Sequence, residues 1–279
     1  MQKLAVLQSL WSFEGLSHPP CPPTLEARLD LIGAVGFDGA GTLWIERNEA
    51  RQVAQLAGER GLRLEGLALP HSVDALKPAL DWGTAFGLDQ LNVQPDIRTA
   101  SVAEAVQVLE GWRRLADEVD FPVRIETHRG RLTNDLLFSL ALLDACPWLA
   151  LTVDLSHCVV GGEIGLPVSA EIDARITRIL ANAEGFHGRV ATSEQVQAEI
   201  GFAQHAPWVA QFATWWQRGF SAWRARSAAD ATLSFLCELG APPYAITGAD
   251  GRDLSDRWAD SLTLKDLARQ LWAASGDAR

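Results

Sequence analysis

The stretch "VRIETHRGR", Val123 to Arg131, opens like a buried strand and continues into polar residues that include Glu126. Three later apolar runs show the same pattern: Asp154 ends "WLALTVD", His187 lies within "GFHGRV", and Glu238 follows "ATLSFL". Strands of a parallel sheet are buried on both faces, so a charged residue at a strand end must be paired, metal-bound or catalytic. These four residues are therefore the first candidates for a functional site.

Three carboxylates and one imidazole, without a thiolate, form a mixed oxygen and nitrogen ligand set. Such a set suits one divalent ion in an open, catalytic centre, and we expect Mn2+, with Zn2+, Co2+ or Mg2+ as alternatives. Taken singly, each residue also has a structural explanation: an ion pair of Glu126 with Arg124 or Arg129, a loop cap from Asp154 to Ser156, a hydrogen-bonded core position for His187, and an ion pair for Glu238. Together, on four adjacent strand ends, they indicate a metal.

Two residues near these candidates are placed to bind a substrate. His157 lies three residues after Asp154 in "DLSH", so a tight turn would leave both facing one cavity, where His157 would bind metal or substrate. Arg189 lies two residues beyond His187, and the two-residue period of a strand places both on the same side. Its planar guanidinium could hold a carbonyl, enediolate or phosphate oxygen, although a buried salt bridge would also explain it.

The remaining candidates are His128 and Trp11. His128 follows the fifth strand into a loop, where it is either a substrate ligand or a solvated side chain. Trp11 comes just after the first strand, and we expect it at the mouth of the site, with a plug of the barrel end as the alternative. His18, His71 and His205 lie in Pro-flanked or helical surface contexts, and no role is assigned to them.

The elements that carry these residues alternate along the chain, with eight short β-like runs each followed by a stretch of helical period, such as Val73 to Phe86 and Val102 to Asp120. Two long stretches read as irregular, "HCVVGGEIGLPVS" and "ATSEQVQAEIGFAQHAP", and both follow strand ends. Eight such units in 279 residues predict an α/β fold, a (β/α)8 TIM barrel that forms a single domain over residues 1–279.

The composition limits the partners. Acidic residues number 35 against 24 basic ones, giving a net charge of -11, which disfavours binding to nucleic acid and favours a small molecule. The sequence contains neither a run of eighteen apolar residues nor a signal-peptide pattern, so we expect no membrane association and a cytoplasmic location.

Eleven tryptophans are well above ordinary usage, and such rings can stack on the C–H face of a sugar. Most of them lie on helical stretches, where core packing is the better explanation. The tryptophan-rich helix from Trp208 to Trp223 could also serve the interface of a homo-oligomer.

Four motifs occur in order on successive strands: "IETHRGRLTNDL", "VDLSHCVVGGE", "FHGRVATSEQV" and "CELGAPPY". They resemble the sugar phosphate isomerase/epimerase family with a xylose-isomerase-like barrel, and "SLW" and "GFDG" extend the resemblance toward the start of the chain. It implies that His157 and Arg189 contact substrate oxygens. It also implies that one divalent ion is bound by the strand-end residues Glu126, Asp154, His187 and Glu238.

We therefore expect a metal-dependent isomerase or epimerase whose carbohydrate-like substrate is a sugar, a sugar phosphate or an inositol-like ketone. Proton transfer would pass through a metal-stabilised enediolate, with Glu126 and Glu238 as the catalytic acid and base on opposite faces of the substrate.

Departures from the family pattern leave the substrate open. Cys237, Leu239 and Ala241 replace the Pro, Phe and second Pro of the usual eighth-strand motif. Ser193 and Glu194 replace a Gly-Pro in the seventh-strand loop. These changes spare the ligands but alter the pocket walls.

Two other functions remain. An abasic-site endonuclease-like phosphodiesterase would have the same barrel and would bind a zinc cluster through extra histidines on earlier strands, whereas "LNVQPD" has Gln94 at such a place. The second alternative is a barrel that binds a ligand without catalysis, which the altered eighth-strand motif favours.

Overall fold

Over residues 1–16 and 21–276, the computed structural model of the protein shows eight parallel strands that close into one barrel. The strands are β1 (Lys3–Ser9), β2 (Gly39–Leu43), β3 (Arg63–Ala68), β4 (Gln90–Val93), β5 (Val123–Glu126), β6 (Leu151–Val153), β7 (Ala183–Gly188) and β8 (Thr232–Cys237). The barrel closes where β8 pairs with β1, from Thr232 opposite Lys3 to Cys237 opposite Gln8. The predicted (β/α)8 barrel is confirmed. His18 lies outside the described residues.

Each strand leads into at least one helix on the outside of the barrel. Within the described ranges the helices are α1 (Leu25–Ala34), α2 (Arg47–Glu59), α3 (Lys77–Phe86), α4 (Val102–Ala116), α5 (Leu136–Ala145), α6 (Leu155–Gly161), α7 (Ala170–Leu180), α8 (Ala206–Arg226) and α9 (Arg257–Ala274). None of these helices has the length and apolar character needed to cross a bilayer.

Several predicted boundaries shift by a few residues. The stretch from Val73 to Phe86 begins with a 3-10 turn, Asp74–Leu76, before α3 starts at Lys77. The stretch predicted to reach Asp120 ends earlier, at Ala116. Such differences are expected at helix ends, where hydrogen bonding and side-chain caps, rather than periodicity, decide the last turn.

The stretch after β6 is not irregular at its start, as the sequence predicts, but forms the short helix α6. Asp154 is its N-cap, and its side chain accepts a hydrogen bond from the backbone N–H of Ser156. The first five residues of α6 are all buried, the polar Ser156 and His157 included, so no solvent-exposed face produces an amphipathic helical period there. The tight turn expected at "DLSH" is thus the first turn of a helix.

Helix α8 packs its tryptophans inward. Trp215, Trp216 and Trp223 are almost completely buried, and the Trp216 ring meets Phe235 of β8 edge-on, with 5.2 Å between ring centroids. Edge-to-face aromatic packing of this kind stabilises the layer between helices and barrel. These three rings therefore belong to the core, whereas Trp208 at the start of the helix is only partly buried.

Candidate active site

Four strand ends bring the predicted ligands together at the carboxyl end of the barrel. Glu126 ends β5, Asp154 follows β6, His187 lies near the end of β7, and Glu238 follows β8. All four are buried, and one ligand atom from each lies within 4.8 Å of those of the others. The set could hold one metal ion at the position where TIM barrels place their active sites.

His187 lies among carboxylates. Its Nδ1 is 3.1 Å from Oε2 of Glu238 and 3.6 Å from Oε1 of Glu126, and its Nε2 is 2.8 Å from Oε1 of Glu65. Burial by itself would lower the pKa of His187, but the Glu238 and Glu126 carboxylates outweigh it and raise that pKa well above its ordinary value. A protonated imidazole thus offsets the negative charge of the cluster, and a bound cation would take over that task.

Asp154 uses its two oxygens differently. Oδ1 accepts hydrogen bonds from the Ser156 backbone N–H at 2.8 Å and from the Ser156 hydroxyl at 2.6 Å, which is the capping role considered for it. Oδ2 is buried and has no hydrogen-bond partner among the described residues. Burial raises the pKa of Asp154, although the Arg189 charge opposes the rise. Asp154 can therefore cap α6 and ligate a metal at the same time.

Arg189 forms an ion pair with Glu238 and a hydrogen bond to its backbone. Its Nε donates to the Glu238 backbone oxygen at 2.9 Å, and its Nη2 donates to Oε2 of the same residue. Burial would raise the pKa of Glu238, but Arg189 and then His187 lower it to about 2. The remaining Nη1 of Arg189 is buried without a partner in the described part of the chain. A buried donor without an acceptor destabilises the fold, because its lost hydrogen bonds to water are not replaced. An oxygen of a bound ligand would supply the missing acceptor.

Glu126 is held by amides, not by the arginines considered for it. Asn92 Nδ2 donates to Oε2 of Glu126, and Gln94 Nε2 donates to Oε1 at 3.2 Å. Arg124 instead donates to Gln90 and, at 3.1 Å, to Ser234. Sequence reasoning missed Asn92. The alternation of polar and apolar residues in "QLNVQ" indicates that one face of β4 is polar, but not that this face lies inside the barrel.

The two predicted substrate histidines contact each other. His157 on α6 is 1% exposed, and its ring centroid is 3.7 Å from that of His128. Neither ring nitrogen of His157 has a hydrogen-bond partner in the described residues, and Nε2 is 3.6 Å from Oδ2 of Asp154. Burial, and then the neighbouring His128, lower the pKa of His157 well below its ordinary value, so a neutral ring faces the site.

A cavity of about 240 Å³ lies beside the cluster and is lined by two of its members, His187 and Glu238, together with His128 and Arg189. Trp11 and Tyr244 also line it, and their rings meet edge-on with centroids 5.0 Å apart. Trp11 is half-buried and forms part of the cavity wall, which is compatible with its predicted place at the mouth of the site. Tyr244 was missed, although it is part of "CELGAPPY". The cavity suits a small molecule with both polar and apolar faces.

The other histidines lie outside this site. His71 is exposed. His205 is buried, contrary to the surface position assigned to it, and its Nδ1 is 2.7 Å from the backbone oxygen of Glu199. Its place just before α8, in the 3-10 turn Ala203–His205, explains the error, because a polar residue in a loop sequence can still be covered by that loop.

No protein-family model matches the sequence, and no curated protein sequence matches it. Its fold is that of xylose-isomerase-like TIM barrels. A barrel of this type from Mycobacterium smegmatis, solved in complex with magnesium, is 9% identical, with a TM-score of 0.60 over 96% of this chain and 98% of the other.

A D-psicose 3-epimerase, crystallised in the presence of D-fructose, is 13% identical, with a TM-score of 0.55 over 89% of this chain and 94% of that one. An AP endonuclease of family 2 from Brucella melitensis is also 13% identical, with a TM-score of 0.53 over 83% and 92%. At these identities the similarity is one of fold.

Proposed function

We propose that the protein is a metal-dependent isomerase or epimerase of a carbohydrate-like small molecule. The observation that carries the proposal is the convergence of Glu126, Asp154, His187 and Glu238 within 4.8 Å, beside a cavity of about 240 Å³ that the last two help to line. The solved epimerase with the same fold adds support.

The donor set fits a divalent cation. The buried Oδ2 of Asp154 accepts no hydrogen bond from the described residues, although Arg189 Nη2 lies 3.7 Å away, so it is available to ligate an ion. Carboxylate oxygens with one imidazole suit Mn2+, with Zn2+, Co2+ or Mg2+ as alternatives. A divalent ion held there would polarise the carbonyl and the adjacent hydroxyl of the substrate.

The proton is moved by two glutamates. Glu126 ends β5 and Glu238 follows β8, with β6 and β7 between them, so the two carboxylates reach the site from different directions. One removes a proton from the carbon next to the carbonyl, and the other returns it. Arg189 and His187 lower the pKa of Glu238 to about 2, which keeps its carboxylate ionised at neutral pH but makes it a weak base, so Glu126 is the better candidate to remove the proton.

Substrate oxygens are oriented by groups that lack partners in the described structure. The free Nη1 of Arg189 donates to an oxygen that gains negative charge during proton transfer. The neutral ring of His157 donates from one nitrogen and accepts at the other. The rings of Trp11 and Tyr244 cover the apolar C–H face of the sugar.

Deuterium exchange tests the reaction class before the natural substrate is known. The Mn2+-loaded protein is incubated in D2O with a panel of ketoses and inositol-like ketones, and incorporation beside the carbonyl is followed by NMR. We expect exchange with at least one member and a loss of about 10²–10⁴-fold in Glu126→Gln. Glu184→Gln is the control, because Glu184 pairs with Arg226 away from the site. Undiminished exchange in Glu126→Gln contradicts the proposal.

One observation favours a second candidate, the phosphodiesterase. Glu126, His128 and His157 form another group whose ligand atoms lie within 4.8 Å of one another, so a second ion could bind beside the first. Metal analysis after dialysis separates the two functions: one ion per chain supports the isomerase, and two or more with cleavage of abasic DNA support the phosphodiesterase. The net charge of -11 opposes DNA binding.

A further inference from the structure

A row of buried polar side chains runs through the barrel interior toward the site, from Arg124 on β5 through Gln90 on β4 and Glu65 on β3 to His187 on β7. None of the four is more than 7% exposed. Arg124 Nη1 is 2.6 Å from Oε1 of Gln90, Gln90 Nε2 bonds Oε2 of Glu65, and Oε1 of Glu65 is 2.8 Å from Nε2 of His187. Sequence reasoning assigned no role to Glu65.

The row has a fixed direction. A guanidinium only donates hydrogen bonds, so Gln90 must turn its oxygen to Arg124 and its NH2 group to Glu65. An ionised carboxylate only accepts, so Glu65 takes one hydrogen bond from Gln90 and offers its other oxygen to His187. The Nε2 atom of His187 must then carry a proton, and Nδ1 is the nitrogen that faces Glu126 and Glu238.

Glu65 is not one of the four residues whose ligand atoms converge, and it contacts the ring nitrogen of His187 that points away from Glu126 and Glu238. Imidazole can otherwise present either nitrogen to a metal, and the choice is set by the hydrogen bond that the other nitrogen makes.

We propose that Glu65 is a positioning residue that keeps the proton of His187 on Nε2 and so makes Nδ1 the metal-binding atom. Arg124 and Gln90 act through Glu65, because they fix which groups donate and which accept. This inference rests on the proposed metal site.

Two variants test the direction of the hydrogen bonds. In Glu65→Gln the new amide has one acceptor oxygen for two donors, the NH2 group of Gln90 and the Nε2–H of His187. Its own NH2 group therefore faces one of these donors, and no hydrogen bond forms there. We expect Mn2+ affinity to fall by about 10- to 100-fold. In the double variant Glu65→Gln/Gln90→Glu, the carboxylate at position 90 accepts hydrogen bonds from Arg124 and from the NH2 group of the amide at position 65. The oxygen of that amide then accepts the Nε2–H of His187. Affinity should return to within about threefold of the original.

The double variant separates direction from charge, because it keeps the total charge but moves the carboxylate away from His187. If the double variant binds Mn2+ as weakly as Glu65→Gln does, the proposal is wrong. The charge of Glu65, or direct binding of the metal by Glu65, would then explain the loss. Unchanged affinity in Glu65→Gln would also overturn it. Asp253→Asn is the control for loss of a buried carboxylate, since Asp253 is 5% exposed and pairs with Arg257 outside the barrel.

If the protein binds no divalent ion, the proposed function is wrong. The role of Glu65 can still be tested separately, on the metal-free protein. NMR of 15N-labelled histidine reports the protonation of each ring nitrogen directly. At a pH at which the ring is neutral, a proton on Nε2 of His187 supports the proposal, and a proton on Nδ1 overturns it. Melting temperatures of all variants establish that each is folded.

Discussion

Gly240 lies directly against the ring of Trp11, so that a Cβ at position 240 would come within 3.0 Å of three ring carbons. The backbone of Gly240 cannot easily retreat, because Gln197 accepts a hydrogen bond from its N–H at 2.7 Å and donates one to its oxygen at 3.1 Å. The loop after β8 and the turn after β1 thus fit together only with glycine between them.

Gly240→Ala is therefore expected to push Trp11 away from Tyr244 and weaken the aromatic wall of the cavity. Because aromatic contacts contribute about 0.5–1.5 kcal/mol, KM should rise by about 2- to 10-fold with a smaller effect on kcat. Steady-state kinetics with a substrate found in the exchange assay checks this. Gly165→Ala is the control, since a Cβ there meets nothing within 4 Å. Equal effects of the two substitutions would refute the explanation.

Arg189→Lys should raise the pKa of Glu238 from about 2 toward the ordinary range, because a single ammonium replaces a fork that contacts both the carboxylate and the backbone of Glu238. A carboxylate with a lowered pKa stabilises the folded protein above pH 4.5, and this contribution is lost as the pH falls toward 2. Acid unfolding of the metal-free variant should begin at a higher pH, as followed by circular dichroism. A superimposable acid transition would contradict the pairing.

Removal of metal should change stability in a pH-dependent way. The raised pKa of His187 means that its proton stabilises the metal-free protein fully below pH 6.5, and that this contribution is lost as the pH rises through the folded pKa. A divalent ion competes with the proton on Nδ1, so it binds more tightly at higher pH. The increase in melting temperature on adding Mn2+ to chelator-treated protein should be larger at pH 8.5 than at pH 6. An increase that does not depend on pH would mean that His187 is not a ligand.

Asp260 on α9 provides a test of stability away from the site. Burial first, and then a hydrogen bond and repulsion from Glu199, raise its pKa to about 9. The unfolded chain ionises near 3.8, so this residue makes the protein progressively less stable as the pH rises from there to about 9. Asp260→Asn should melt at a higher temperature than the original at pH 8 and at the same temperature near pH 4. Asp266→Asn, on the exposed side of the same helix, should show no such crossover.

The strand-end residues were predictable from sequence because a charge that follows an apolar run is conspicuous. Glu126, Asp154 and Glu238 each stand at such a point. The period of eight β-α units predicted the barrel for the same reason, since every repeat adds to one signal.

Glu65 and Asn92 were not predictable in this way. Each lies in the middle of a strand, where alternation of polar and apolar residues normally marks a face turned to water. Only closure of the sheet places that face inside, and the partners that then meet lie 34 positions apart for Asn92 and Glu126, and 122 positions apart for Glu65 and His187. Pairings of this kind depend on the curvature of the barrel, which no local pattern records.

The pairing of β1 with β8, which closes the barrel, joins a strand that is synthesised early to one that is synthesised late. A ribosome releases Trp11 early, but Tyr244 and Glu238 emerge only after most of the chain has been made. Early strands can pair during synthesis, whereas the cavity lacks Leu236, Glu238 and Tyr244 until the last strand docks beside the first. A chain that ends before Thr232 would lack β8, so β1 and β7 would keep open edges, and open sheet edges favour pairing with other chains.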